Sequence, residues 1–309
     1  MMVVNHAECY IREHGVRYHF AEIESFMAQH DVVCANLETS VTDRGTEYRN
    51  KKHRFRLHPD NAAYIPELKL DVVTLGNNHM LDFGTTGMND TIAFLGKHNI
   101  RHTGAGMSEA EARTPAVIER GVRMVFLSYC ECPLQDFYAS GSKPGIAEIV
   151  RKSIIADVKK HKKRNTLVFV NLHWGIEYTE RPRPDQIQTA RMIIDAGADA
   201  IIGHHPHIPQ SVEVYRGKPV FYLLGNVIGG YYNPNCRPNM LVRCTYRGTT
   251  LQSVEIFPIE GLNQIMHCQP YLLTGKKADN AIRHFSDISS EFGTVILSKS
   301  GRGVLMLAQ

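Results

Sequence analysis

No stretch of the chain approaches 18 consecutive apolar residues, so the sequence offers no candidate for a membrane-spanning helix. The opening MMVVNHAECYIREHG sets His, Glu and Arg among its apolar residues and lacks the continuous hydrophobic segment of a secretion signal; the expectation is a cytoplasmic protein. Cysteine is present but not organised. Cys9, Cys34, Cys130, Cys132, Cys236, Cys244 and Cys268 are odd in number and irregularly spaced, which gives no zinc ribbon and no disulfide framework and favours a reducing compartment. Cys130 and Cys132 follow an apolar strand and read as packing. There is no internal repeat and no low-complexity linker. There is also no phosphate-cradling loop: GAGMSEAE (104–111) lacks the Lys-Ser/Thr of a P-loop and reads as a turn into a helix capped by Ser108. A net charge of +4 over 309 residues is too small to argue for nucleic acid. The one dense basic run, KKHKKR (159–164), reads as the solvated last turn of a helix, where cations suit the dipole.

What is there is ordinary globular material, 43% hydrophobic and enough for a sizeable core. Strand-like and helix-like segments alternate, which points to an α/β sandwich. The spacing predicts helices at 20–30, near 60–68, 85–99, 145–163, 185–196 and 278–292. It predicts strands at 31–37, 71–77, 166–172 and 199–203, and a terminal strand in GVLMLAQ. Hairpins are expected about Arg120–Gly121, Arg216–Pro219 and Arg247–Gly248. Strand–helix–strand order in the first half implies parallel pairing, and the hairpins imply antiparallel additions. In open α/β sheets, sites form at the carboxyl ends of the strands.

Those ends carry the chemistry. CANLE supplies Asn36 and Glu38, GNNHMLD supplies Asn77, Asn78, His79 and Asp82, and NLHWG supplies His173. GHHPH supplies His204, His205 and His207, and LLGN supplies Asn226. In an extended segment His205 and His207 point the same way, and the intervening proline stiffens the pair. Imidazole and carboxylate together suit manganese, iron, zinc or nickel better than magnesium or calcium. With no thiolate nearby, an open catalytic site is expected rather than a closed structural zinc.

In this order, NLE, NNHMLDFG, HWGIEY, GHHPHIPQ and LLGN resemble the CapA family, named for poly-γ-glutamate capsule synthesis and related to the calcineurin-like metallophosphoesterases. The resemblance spans about residues 31–228. It implies a four-layer αββα sandwich of mixed sheets over 1–260, with 261–309 as an extension packing on the same domain. It implies two divalent cations (manganese, iron or zinc) held by Glu38, Asn78, His173, His205 and His207. It also implies a catalytic His79 that protonates the leaving group, oriented by Asp82, with His204 behind the ligands. Trp174, Glu177 and Gln210 match the pattern without an assignable role. The family's first strand, ending in a ligating Gly-Asp, has no counterpart in MMVVNHAECY, so either the protein starts upstream or the first metal position is incomplete.

Three functions follow as expectations. The first is a metal-dependent hydrolase of phosphoesters linked to capsule polymer synthesis, with an anionic substrate, phosphoester or polyglutamate. The second is a non-catalytic accessory subunit that binds an anionic polymer or a membrane synthase complex through the basic excursion Arg44, Arg49, Lys51, Lys52, Arg54 and Arg56. The third is a phosphatase of nucleotides or sugar phosphates. Nucleic acid is not an expected partner, and the sequence leaves the oligomeric state open.

Overall fold

The computed structural model describes residues 6–229 and 236–307. The first five residues, part of the segment compared with the family's opening, lie outside the described residues, as do the last two of GVLMLAQ. Three sheets make up most of the molecule. Strands β1 (Cys34–Asn36), β2 (Val72–Thr74) and β3 (Arg101–Thr103) form a parallel sheet in the order β1-β2-β3. A six-stranded sheet is built from β4 (Ala116–Arg120), β5 (Val122–Cys130), β6 (Thr166–His173), β7 (Ala200–His204), β8 (Val212–Tyr215) and β9 (Lys218–Phe221). Its order is β8-β9-β7-β6-β5-β4. Its four central strands are parallel, and β4 and β8 are antiparallel hairpin partners at its two edges. The third sheet is antiparallel, with β10 (Asn239–Arg247), β11 (Thr250–Ile259), β12 (Ile296–Lys299) and β13 (Arg302–Leu305) in the order β10-β11-β13-β12.

The layering follows from the period of two along buried strands. Every residue of β6 is buried. Val168, Val170 and Leu172 turn to a cluster with Ile154 and Val158 of α3 (Arg151–His161) and Ala190, Ile193 and Ile194 of α4 (Pro184–Asp195). Leu167 and Phe169 turn the other way, onto Val72 of β2 and Cys34 of β1. On the far side of the first sheet, Val73 and Leu75 pack with Met88 and Leu95 of α2 (Gly84–Lys97), and with Ala7 and Ile11 of α1 (His6–His14). The antiparallel sheet joins the same inner layer through Met240, Val254 and Ile256, with Ile282 and Phe285 of α5 (Gly275–Ser289). The result is a mixed α/β sandwich with helices outside and sheets within. Among the described residues, no helix is long and apolar enough to cross a membrane.

Several sequence expectations need correction. The helix expected at 20–30 is only a 3₁₀ turn, Tyr18–Phe20, and one α-helical turn, Glu24–Met27. The helix near 60–68 is 3₁₀ over Pro59–Leu68, with Pro66 inside, whose ring and missing N–H break the α ladder. Strands at 31–37 and 71–77 shrink to three residues each. Strand β12 is absent from the sequence reading, because three of its four residues are exposed and show no apolar run.

Candidate metal centre

Strands β5, β6 and β7 end flush, with Cys130 beside His173 and His173 beside His204. By the same period of two, Asn171 and His173 share the face of Leu167 and Phe169, which looks onto the first sheet. There β1 ends at Asn36, two residues before Glu38. The ends of the two sheets therefore meet, and the charged and imidazole side chains lie in the seam between them.

Glu38, His205 and His207 each bring one ligand-type atom within 4.8 Å of the others'. His173 joins them, its Nε2 lying 3.6 Å from Glu38 Oε1 and 2.9 Å from Asn78 Oδ1. The rings of His173 and His205 are 4.8 Å apart, and those of His205 and His207 5.9 Å. Asn36 donates to Glu38 Oε2 at 3.3 Å, and Asn226 Oδ1 lies 3.1 Å from His207 Nδ1. Glu38 Oε1, His173 Nδ1 and His205 Nδ1 are buried with no hydrogen-bond partner among the described residues. Buried polar atoms are nearly always paired, so three orphans on neighbouring residues fit a site shaped for an ion rather than for its own internal bonding. A carboxylate with several imidazoles is also a suitable donor set for a divalent transition metal.

The turn carrying GHHPH is not extended. His205 has φ 106° and His207 φ 65°, both in the region that L side chains rarely adopt. Convergence of the two rings therefore comes from a doubled-back turn rather than from strand alternation. Such backbone is retained where the surroundings over-determine it, as they do at many functional sites.

Burial sets the protonation states. It holds His173 well below the ordinary histidine value of 6.5, with the neighbouring imidazoles adding to the effect. It pushes His204 down to about 3 and lowers His205. These rings are neutral at pH 7 and offer lone pairs. Burial raises Glu38, but its attraction to the facing imidazoles, His207 and His79 foremost, outweighs that and keeps Glu38 below the ordinary carboxylate value.

His79 and Asp82 lie beside this group. His79 Nδ1 is 2.6 Å from Asp82 Oδ2, and both residues are buried. Asn77 holds the turn, donating to the Leu37 carbonyl at 2.8 Å and accepting from His79 N–H at 3.1 Å. His204 meets Asn171 Oδ1 at 3.3 Å, behind the cluster. Trp174 and Gln210 acquire structural roles. The Trp174 indole donates to the Tyr222 carbonyl at 3.2 Å, and Gln210 donates to the Thr179 carbonyl at 2.8 Å, pinning the loop after β6. Glu177 is exposed.

The basic excursion is not a free cationic loop. Arg44 pairs with Asp90, Arg54 with Glu47, and Arg56 stacks 4.8 Å over Phe83. Lys51 reaches Asp82 Oδ1 at 2.6 Å. Sequence reasoning missed Lys51 as a member of the site. The signal that could have found it is Asp82 itself, since a buried carboxylate requires a cation or several donors. Only Arg49 and Lys52 of the six remain exposed without a described partner.

Gly203, one residue before the end of β7, shows how tightly the frame is built. A Cβ there would lie 1.7 Å from the Tyr222 carbonyl oxygen and 3.0 Å from the Trp174 indole nitrogen. Gly203→Ala is expected to destabilise the protein by about 3 kcal/mol or more, at the upper end for overpacking. The urea midpoint at constant m-value measures it; an unchanged midpoint would contradict this packing.

Fold and site together define a mixed α/β sandwich with a histidine-rich centre at its strand ends. The chain belongs to the family of bacterial capsule synthesis proteins, PGA_cap, whose model matches residues 1–231. It is 29% identical over 263 residues to the PGA biosynthesis protein CapA of Bacillus subtilis, a match covering 84% of this chain and 69% of that protein. It is 29% identical over 267 residues to the capsule biosynthesis protein CapA of Bacillus anthracis, covering 84% and 65%. A Mycobacterium tuberculosis protein named "Probable polyglutamine synthesis accessory protein" is 34% identical over 214 residues, covering 65% of this chain and 56% of the relative. The chain thus spans between 56% and 69% of these relatives' lengths.

Proposed function

We propose that the chain is a metal-dependent hydrolase of phosphoesters that serves the synthesis of an anionic capsule polymer such as poly-γ-glutamate. The observation that carries this reading is the convergence of Glu38, His205 and His207 within 4.8 Å, beside a hydrogen-bonded His–Asp pair. Glu38, His205 and His207, with His173 and Asn78 next to them, would hold two divalent cations, manganese, iron or zinc. When bound, such ions supply Lewis acidity and a water acidic enough to ionise near neutral pH.

The chain's own residues supply the rest. Asp82 accepts a hydrogen bond from Nδ1–H of His79, which fixes the ring's orientation and leaves Nε2 free, where the imidazolium form would give up a proton to a departing oxygen. Burial of His173 and Glu38 keeps the donor set dry, where its electrostatics are strongest. Neutral His173, His204 and His205 keep their lone pairs through the physiological range.

The test is metal content of the purified protein together with manganese-stimulated hydrolysis of bis(p-nitrophenyl) phosphate. His79→Ala is expected to lower kcat by about 10²- to 10⁴-fold, the usual worth of a proton-transfer group, with metal content unchanged. Turnover equal to wild type would end the assignment of His79.

A second reading is a non-catalytic accessory subunit. The name of the mycobacterial relative and the exposed Arg49 and Lys52 support it. Polyglutamate binding that weakens with salt, in a protein without turnover, would favour this reading over the first.

A further inference from the structure

The orientation of His79 is set from outside its own loop. Lys51 enters from the 42–57 segment with only 14% of its side chain exposed. Its ammonium lies 2.6 Å from Asp82 Oδ1, 2.5 Å from the Asn78 carbonyl and 2.9 Å from His79 Nδ1. Phe55, from the same segment, donates its N–H to Asp82 Oδ2 at 2.7 Å and stacks its ring 4.3 Å from that of His79. Tyr48 N–H holds the Asp82 carbonyl at 2.8 Å. The segment is thus pinned on Asp82 by main chain and side chain alike.

Donor arithmetic decides what Lys51 does. His79 Nδ1 cannot both donate to Asp82 and accept from an ammonium, because a ring nitrogen that carries its proton has no lone pair in the plane. The 2.6 Å contact to the carboxylate is the shorter and is charge-assisted, so Nδ1–H donates to Asp82. Lys51 then acts on His79 through the carboxylate and the Asn78 carbonyl. With Oδ1 held by Lys51 and Oδ2 by Phe55, the carboxylate plane has no freedom to turn. Among the described residues no hydrogen bond engages His79 Nε2.

We propose that Lys51 is the positioning residue of the His79–Asp82 pair, holding one carboxylate oxygen so that the other receives Nδ1–H and Nε2 is presented to the centre. Its catalytic consequence rests on the hydrolase reading given above; its structural content does not. The same ammonium ties Asn78 to the pair, so one cation sets the spacing between a candidate ligand and the proton-transfer group. Neighbouring Lys52 is exposed and takes no part.

The experiment compares wild type with Lys51→Met and Lys51→Gln. Nitrogen-15 histidine spectra are recorded on metal-free protein, and kcat and KM for bis(p-nitrophenyl) phosphate with manganese. Wild-type His79 is expected as a single tautomer protonated at Nδ1. Lys51→Met is expected to mix the tautomers and lower kcat by about 30-fold, with KM within about threefold, since misplacement of a reacting group by an ångström can cost two orders of magnitude. Lys51→Gln, whose amide still donates to Asp82 without a charge, is expected between the two on both measures. An unchanged tautomer with kcat within about twofold of wild type in Lys51→Met overturns the proposal. If that variant does not fold, equality of Lys51→Gln with wild type on both measures overturns it. If wild type itself turns nothing over, the hydrolase reading fails and the spectra alone judge Lys51: mixed tautomers in the variants support the proposal, and an unchanged tautomer overturns it.

Discussion

Glu38→Gln is expected to bring turnover down by at least about 10³-fold and to remove the stabilisation of the protein by manganese, while the fold survives. The substitution keeps size and shape and removes one buried negative charge. Glu38 is 3% exposed, and the one hydrogen bond described to its carboxylate is the 3.3 Å bond from Asn36. Nothing in the fold depends strongly on that carboxylate, whereas a carboxylate that would ligate a cation has no neutral substitute. If wild type binds manganese near 1 μM, a millimolar excess stabilises it by about 4 kcal/mol. For a domain of this size that is a rise in Tm of roughly 8 °C. Glu38→Gln should keep the metal-free Tm within about 2 °C and lose most of the rise. A variant that still rises by the wild-type amount would show that Glu38 is not a ligand.

Metal-free protein is expected to be acid-labile through a pH range in which most proteins are at their most stable. His173 and His204 titrate far below 6.5 in the fold and near 6.5 when unfolded. Above about pH 7 both states hold these rings neutral and the effect vanishes. As pH falls below 6.5 the unfolded chain takes up protons that the folded chain refuses, so stability falls. Each site costs about 1.4 kcal/mol per pH unit. From 6.5 to 5 His204 alone removes roughly 2 kcal/mol, and His173 adds a loss of the same sign, a sizeable part of an ordinary 5–15 kcal/mol total. Glu38, lowered in the fold, adds a loss of the same sign below its ordinary value of 4.5. Urea midpoints of chelator-treated protein at pH 7, 6 and 5 measure the effect; a flat profile would mean that these rings are not buried neutral. Manganese should raise the pH 6 to 7 part of the curve without changing its slope, because the folded rings are already proton-free there and the unfolded chain still takes up the protons.

Much of the frame was legible because its signals are periodic. Long apolar runs such as LVFVNLH and the hairpin turns at Gly121, Gly217 and Gly248 marked strands that form where the pattern places them. The rule that α/β sites lie at carboxyl strand ends marked the segments CANLE, GNNHMLD, NLHWG, GHHPH and LLGN, and the family resemblance singled out Glu38, Asn78, His173, His205 and His207 within them. The misses have physical causes. Pro66 and three-residue strands leave too few positions for a period to register. The backbone of His205 and His207 is dictated by packing around the turn rather than by the residues themselves. Lys51 lies 31 positions from Asp82, among five other basic residues, and nothing local separates it from Lys52.

The seam between the sheets also sets an order of events. Asn78 and His173, which touch, are 95 positions apart, and His205 and His207 come later still. On a ribosome the first sheet is made while its opposite wall does not yet exist, and Glu38 must wait in a half-built cleft. Closure requires the non-local pairing of β6 and β7, the slow kind of step. A captured ion would then act as a rivet between parts synthesised at different times.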